Sequence, residues 1–340
     1  MLQRRRPPTI ADVAREAGVS LQTVSRVVNQ HPSVAQATRT RVNQVIDHLG
    51  YQRNPAARAL VTGRSQTIGV MVSSTTLSGP SGVLLAIEPH ARAAHYWLSV
   101  AGLAHHDAEL VGPILQHFRQ QGVDGIIVVA QTQAVLDAVM AQGPNLPLVF
   151  VSSGQVGGQF SRIDIDQRAG ARMVMTMLHG LGHDRIAHIR GPVGDLHADA
   201  RALGWAESLL GKANQVPHGH PLLALGDWSA MSGYQATLAL LSRPERPSAI
   251  FAANDRMAIG ALRALHDRGL SVPADMSVIG FDDIEGVDCA IPPLTTIPQD
   301  QSALGAKAMD LLNAAMAGLA PVDAWLEPNL LVRASVGVAH

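Results

Sequence analysis

Residues 9–29 read TIADVAREAGVSLQTVSRVVN, and the spacing within that stretch decides the architecture of the N-terminal part of the chain. Apolar residues recur at helical spacing over Ile10–Ala17 and again over Leu21–Val28. Between them stand Gly18, which permits a tight turn, and Ser20, whose hydroxyl can cap the second helix. A third block of the same period runs from about Ala37 to Leu49, past a break around Pro32. The reading is a small all-α unit in which Ala14, Ala17, Val19, Val24 and Val28 form the apolar seam where two short helices cross, a helix-turn-helix.

With the seam inward, Leu21, Gln22, Thr23, Ser25, Arg26 and Asn29 are left as the outer surface of the second helix. Gln22 and Arg26 stand one turn apart. Glutamine pairs bidentately with adenine and arginine with guanine, leucine meets a thymine methyl, and hydroxyls bond phosphates, so this face has the chemistry to read a major groove. Helical hairpins with an alanine seam also occur in proteins that never meet DNA, and charge separates the two readings. Residues 1–62 carry nine arginines against Asp12, Glu16 and Asp47, a net of +6, whereas the whole chain is at −1 and the remainder therefore at −7. A polyanion would meet the N-terminal part alone.

Beyond Gly63 the texture changes. Short apolar runs appear, IGVMV (68–72), IIVVA (126–130), LVFVS (148–152), IAHIRG (186–191), AIFAAN (249–254) and SVIGFDD (277–283), each followed by an amphipathic helical stretch. Apolar strands alternating with helices are the signature of doubly wound parallel α/β sheets, and roughly ten strands fit two lobes better than one, with a ligand crevice at the carboxyl ends of their strands. The expected division is a headpiece over 1–52, a hinge over 53–65 containing NPAARALVTGRS (54–65), and a two-lobed core over 66–340. Polar groups follow the strands: Ser73 and Ser74, Ser152 and Ser153, Asn254 and Asp255, Asp282 and Asp283. A sugar offers an apolar C–H face and a rim of hydroxyls, so its site calls for an aromatic plate and planar hydrogen-bonding groups, which Trp228, Arg201, Asn254 and Asp282 can supply. Taken singly, Trp228 reads equally as a core aromatic, Arg201 as a surface ion pair, and Asn254 and Asp282 as helix caps.

Residues 9–29, TRTRVNQVIDHLGY (38–51) and ARAL (57–60) closely resemble the headpiece and hinge of the LacI/GalR (lactose-repressor) family. GDWSAMSGYQ (226–235), ANDRMAIGALRA (253–264), SVIGFDD (277–283) and IPPLTTIPQD (291–300) look like body segments of its lactose-repressor branch, so the resemblance covers about residues 9–336. It implies a periplasmic-binding-protein-like core and a repressor that grips operator DNA. Leu21, Gln22 and Arg26 would contact bases. Thr9, Ser20, Thr23, Ser25, Asn29, Thr38, Tyr51 and Asn54 would contact the backbone, Ala57 would bind DNA from the hinge, and Leu60 would wedge into the minor groove. Ligand contacts carry over to Ser73, Leu77, Gly79, Pro80, Val83, Ser152, Arg201, Trp228, Asn254, Asp282 and Gln301. Departures are Ala35 in place of a capping serine, Arg53 in place of proline, Ser152 in place of aspartate, Gln301 in place of an aromatic, and Gly79 in place of alanine. The altered ligand positions argue for a sugar other than a plain galactoside. A purine co-repressor is the alternative effector.

Other chemistries find little support. Asp282 and Asp283, adjacent on an extended segment, would point to opposite faces and make a poor acid/base pair. The pairs His105–His106 and His218/His220 lack further metal ligands nearby, Gly211-Lys212 lacks the spacing of a phosphate loop, and no metal or cofactor is expected. An enzyme or a sugar carrier would share the two-lobed fold without the head. The single Cys289, the basic start without an apolar signal core and the lack of membrane-length apolar runs point to the cytoplasm. The resemblance and the symmetry of DNA imply a homodimer, and the absence of a heptad tail before His340 speaks against a tetramer.

Overall fold

The computed structural model describes residues 6, 8–29, 31–51, 63–73, 78–103, 107–143, 145–211, 215–216 and 219–339. The chain divides into two compact units, Met1–Ser65 and Gln66–His340.

The first unit contains α1 (Ile10–Ala17), α2 (Leu21–Val28) and α3 (Gln36–Leu49). Thr9 opens α1 by donating its backbone N–H and its hydroxyl to the Asp12 carboxylate, at 3.0 and 2.6 Å. Gly18 ends α1 at φ 62°, a left-handed conformation that glycine adopts without the Cβ penalty. Two residues on, the Ser20 hydroxyl accepts the Thr23 N–H at 3.1 Å and starts α2. At the head of α3, Ala35 makes no such bond. Val13, Ala14, Ala17, Val24, Val27 and Val42 form the buried core, with Val19 and Val28 only partly covered. Of the seam expected from periodicity, Ala14, Ala17 and Val24 are in this core and Val19 and Val28 lie at its margin, while Val13, Val27 and Val42 of α3 complete it.

The second unit holds two sheets whose paired strands are all parallel. β1 (Thr67–Ser73), β2 (Trp97–Leu103), β3 (Gly125–Val129), β4 (Leu148–Val151), β5 (Ser161–Ile165) and β10 (Asp323–Leu326) form a six-stranded sheet in the order β10-β5-β4-β3-β1-β2. β6 (Ile186–Arg190), β7 (Leu223–Leu225), β8 (Ala249–Ala252) and β9 (Ser277–Ile279) form a four-stranded sheet in the order β7-β6-β8-β9. Among the described residues the helices of this unit are α4 (Ser78–Ala93), α5 (Val111–Gln121), α6 (Gln133–Ala141), α7 (Gln167–Gly180), α8 (Leu196–Leu210), α9 (Ala230–Leu241), α10 (Asp255–Asp267) and α11 (Gln301–Met316).

Each lobe is assembled from discontinuous chain. Ala171, Val174 and Leu178 of α7 pack with Ile186, Trp205 and Phe251 in the lobe of the four-stranded sheet, whereas Leu304, Ala308 and Leu312 of α11 return to Val149 and Ile163 of the six-stranded sheet. The six apolar runs all contain strands. The other four strands escaped notice for physical reasons: β2 and β10 are edge strands with alternating exposure, β7 has three residues, and β5, SRIDI, carries two charges although all five residues are buried. Nor is every run followed by a helix. β4 passes straight to β5, and β9 leads to a single short turn at Val287–Cys289.

In both sheets the strand order reverses direction beside the lobe's first strand, between β1 and β3 and between β6 and β8. Ligands of doubly wound sheets bind at such reversals, outside the carboxyl ends of the strands.

Candidate functional site

A cavity of about 340 Å³ opens at those strand ends, and a smaller one of about 50 Å³ adjoins it. Both are lined by Gly79, Pro80, Gln131, His197, Arg201 and Asp282. The six-stranded lobe adds Val129, Ala130 and Val151 from the ends of β3 and β4, and Asp164 and Ile165 from β5. The smaller cavity is completed by Asp195, Trp228, Asn254 and Arg256.

Arg201 is the centre of the arrangement. One turn inside α8 and 3% exposed, it donates Nε to Gln167 Oε1 at 2.9 Å and Nη1 to the Ala253 carbonyl, and lies 3.1 Å from Asp282. Its guanidinium covers the Phe281 ring at 3.8 Å and approaches Trp228 at 5.8 Å. A planar, permanently charged group so fixed presents its edge in one direction only. The surface ion-pair reading of Arg201 is therefore overturned, because burial and four partners immobilise it.

Trp228 has φ 73°, a strained value for an aromatic residue, and its ring packs on Gly191, where a Cβ would come within 2.5 Å. Its buried Nε1 has no hydrogen-bond partner among the described residues. Asn254 holds Trp228 in place, donating Nδ2 to its carbonyl at 3.0 Å while Oδ1 accepts the Met257 N–H at 2.9 Å. Asn254 is thus a helix cap as well as a lining residue. Asp282 caps no helix.

The segment after β9 is not extended, as its sequence implied. Asp282 and Asp283 have φ 111° and 56°, and both line the larger cavity. Each carboxylate has its own arginine, Asp282 with Arg201 and Asp283 with Arg333 at 2.7 Å, so they do not form an acid/base pair with each other. Burial pushes the Asp282 carboxyl up against the opposing pull of Arg201, to a value above the usual carboxylate range. Behind it, Asp255 accepts from the Ile284 N–H at 2.9 Å and the Thr296 hydroxyl at 2.6 Å, yet burial and the nearby Asp282 raise it to about 7.

Of the ligand positions carried over by resemblance, Gly79, Pro80, Val83, Arg201, Asp282 and Gln301 line the larger cavity, and Trp228 and Asn254 the smaller. Ser152 does not: its hydroxyl is buried and donates to the Ala130 carbonyl at 2.8 Å. Ser73 is also fully buried outside the lining, and its hydroxyl has no partner among the described residues. Leu77 and Ser74 lie outside the described residues, as do Asn54, Ala57, Leu60, His105, His106 and His218. Sequence reasoning missed Gln131, Asp164, His197 and Gln299. For Asp164 a signal existed, since a charge in the middle of a buried strand has to face something polar. His197 carried none.

In the first unit, Leu21 is 52% exposed, and Ser20, Gln22, Arg26 and Asn29 are exposed on α2 or its caps. Thr9, Thr23, Ser25, Thr38 and Tyr51 are half-buried. Thr9 and Ser20 use their hydroxyls as caps.

Residues 9–54 match the bacterial regulatory proteins of the lacI family, and 175–336 match a periplasmic binding protein-like domain. Over 339 residues, 98% of this chain and 92% of its relative, the sequence is 38% identical to the lactose operon repressor of Escherichia coli K12. The chain belongs to the LacI family. It is a DNA-binding transcriptional repressor with a core of the kind that family uses to take up an effector. The solved lac repressor dimer bound to operator and the anti-inducer ONPF superposes with a TM-score of 0.89 at 36% identity, covering 98% of this chain and all of that one. A complex of the regulator CelR with cellobiose superposes at 0.70 with 31% identity, covering 96% and 99%. Among the described residues no helix is long and apolar enough to cross a membrane.

Proposed function

We propose that this chain is a homodimeric repressor of sugar-utilisation genes, released from a pseudo-palindromic operator when a small uncharged sugar occupies the cavity of its core. The chain then works in three parts, a head over 1–52, a hinge over 53–65 and an effector core over 66–340, in the cytoplasm where the chromosome lies. Leu21, Gln22 and Arg26 read base edges, Thr9, Ser20, Thr23, Ser25, Asn29, Thr38, Tyr51 and Asn54 touch the backbone, and from the hinge Ala57 also meets the DNA while Leu60 wedges into the minor groove.

The observation that carries the effector class is the state of the cavity's charges. Among the described residues lining the larger cavity, the two basic groups, Arg201 and His197, are each paired with a carboxylate, and Asp282, Asp283 and Asp164 each have a partner of opposite sign. An anionic ligand there finds no unpaired cation, whereas sugar hydroxyls can bond to the outer edges of groups already fixed; Arg256 lines the smaller cavity. Phe281 is fully buried beneath Arg201 and lines neither cavity. The aromatic ring in the lining is that of Trp228, which with the adjoining aspartate and arginine suits the C–H face and hydroxyls of a sugar better than a purine. A volume of about 340 Å³ lies at the small end of ligand sites. Ser73 and Ser152 join the proposed contact set only if the cleft rearranges around the ligand; Leu77, also in that set, lies outside the described residues.

The test is fluorescence-anisotropy binding to DNA flanking the protein's own gene, at fixed salt, with galactosides, glucosides and purines. Release by one neutral sugar is the expected result. Tighter binding with a purine would replace inducer by co-repressor, and absence of specific binding would overturn the repressor reading.

A further inference from the structure

Leu196 and His197 open α8 in the lobe of the four-stranded sheet, yet both are bound to the other lobe. The Leu196 N–H, a first-turn amide with no partner inside its helix, donates to the Gln131 carbonyl beyond β3 at 2.8 Å. The Leu196 side chain packs against the cluster of Leu136, Val139 and Phe150 in the six-stranded lobe. His197 Nε2 lies 2.8 Å from a carboxylate oxygen of Asp164 in β5, whose side chain is only 1% exposed. That carboxylate also accepts the Ser153 hydroxyl at 2.6 Å and the Ile165 N–H at 2.8 Å. One dipeptide therefore supplies a backbone bond, an apolar plug and an ion pair across the cleft. His197 and Asp164 both line the larger cavity.

We propose that the His197–Asp164 pair is a positioning bridge that sets the spacing of the cavity's two walls and, with it, the fit of the effector. The effector's part in this rests on the function proposed above; the bridge itself does not. Burial alone would lower His197, but the Asp164 carboxylate outweighs it and raises the imidazole above its ordinary 6.5, with Asp195 pulling the same way and Arg201 opposing. Asp282, from the segment after β9, senses His197 as a favourable charge. Despite burial, His197 and the hydrogen bonds hold Asp164 below 3.8. The signs follow. A raised imidazole contributes fully below 6.5 and is lost as pH climbs through its higher folded value, and a lowered carboxyl contributes above 3.8 and is lost only as pH falls through its lower one. The bridge holds between those limits and opens on the alkaline side.

The full-length protein without any ligand provides the test. In proton NMR, the His197 Cε1–H signal, assigned by its loss in His197→Gln, should titrate above a free histidine and drop back in Asp164→Asn. Hydrogen exchange at the Leu196 amide, corrected for the intrinsic pH effect, should accelerate about tenfold in His197→Gln and on raising the wild type to about pH 9, and His197→Lys should stay protected there because lysine keeps its charge. Tryptophan-monitored melting checks that each variant is folded. Unchanged Leu196 exchange in folded His197→Gln, or a His197 signal titrating below free histidine, overturns the bridge. Loss of sugar response in a protein whose bridge behaves as described would overturn the proposed function and leave the bridge standing.

Discussion

The head and the core hold their proposed recognition groups in opposite ways. On α2, Gln22 and Arg26 stand exposed above a core of six small residues. In the cleft, Arg201 is held from four sides and is 3% exposed. A surface that meets a polyanion can leave its donors in water, since the partner brings its own charge and the donors order on contact. A small neutral ligand brings none and cannot meet the entropy of ordering long side chains, so its site has to be ordered beforehand.

That contrast can be broken at several points. Arg201→Leu should have the largest effect, about 3–5 kcal/mol of core stability, because it strands Asp282 and the Gln167 amide in a buried site. All four tryptophans, at positions 97, 205, 228 and 325, lie in the core, so fluorescence-monitored denaturation reads it alone; a loss below about 1 kcal/mol would mean that the site is less ordered than described. Arg26→Ala should cost about 1–3 kcal/mol on the operator and little on random DNA, with tryptophan-monitored unfolding unchanged. Equal losses on both DNAs, measured by anisotropy, would make Arg26 a phosphate contact. Asp255→Asn sharpens the core side. A carboxyl raised from 3.8 to about 7 in the fold contributes fully below 3.8 and loses that contribution as pH rises from there up to about 7, so the variant should flatten the decline in melting temperature between about pH 4 and 7. The smallest effect belongs to the head: Ala35→Ser supplies the missing cap of α3, worth about 0.5–1 kcal/mol, read as a slowing of hydrogen exchange in that helix's first turn by roughly two- to fivefold.

The head was nearly all legible in the sequence because its structure is local. Period, turn glycine and capping serine act within a few residues, and α1 and α2 begin and end where the spacing placed them. The strands of the core were legible where they are central and apolar. β5 was not, because its charges are buried by partners far along the chain, Arg162 by Asp323 and Asp164 by His197. The same distance hid half of the site. Trp228, Asn254 and Asp282 could be singled out as polar or aromatic residues near strand ends, but whether they share a cavity depends on how the two sheets are threaded. Ser152 shows the limit: it follows a strand as a ligand residue would, yet its hydroxyl is spent on the Ala130 carbonyl next door.

The sequence by itself determined the helices of the head and the exposed outer face of the second one, the parallel α/β class of the remainder, the separation of charge between them and the family, since composition, period and local motifs carry these. Only the tertiary structure decided that Arg201 is a buried and fixed group, that Asp282 and Asp283 take different arginines, and that Leu196 and His197 reach across the cleft. Those are contacts between segments more than thirty residues apart, and no local pattern encodes them, because their energy exists only once distant segments are folded together, within one lobe for Arg201, Asp282 and Asp283 and across the cleft for Leu196 and His197.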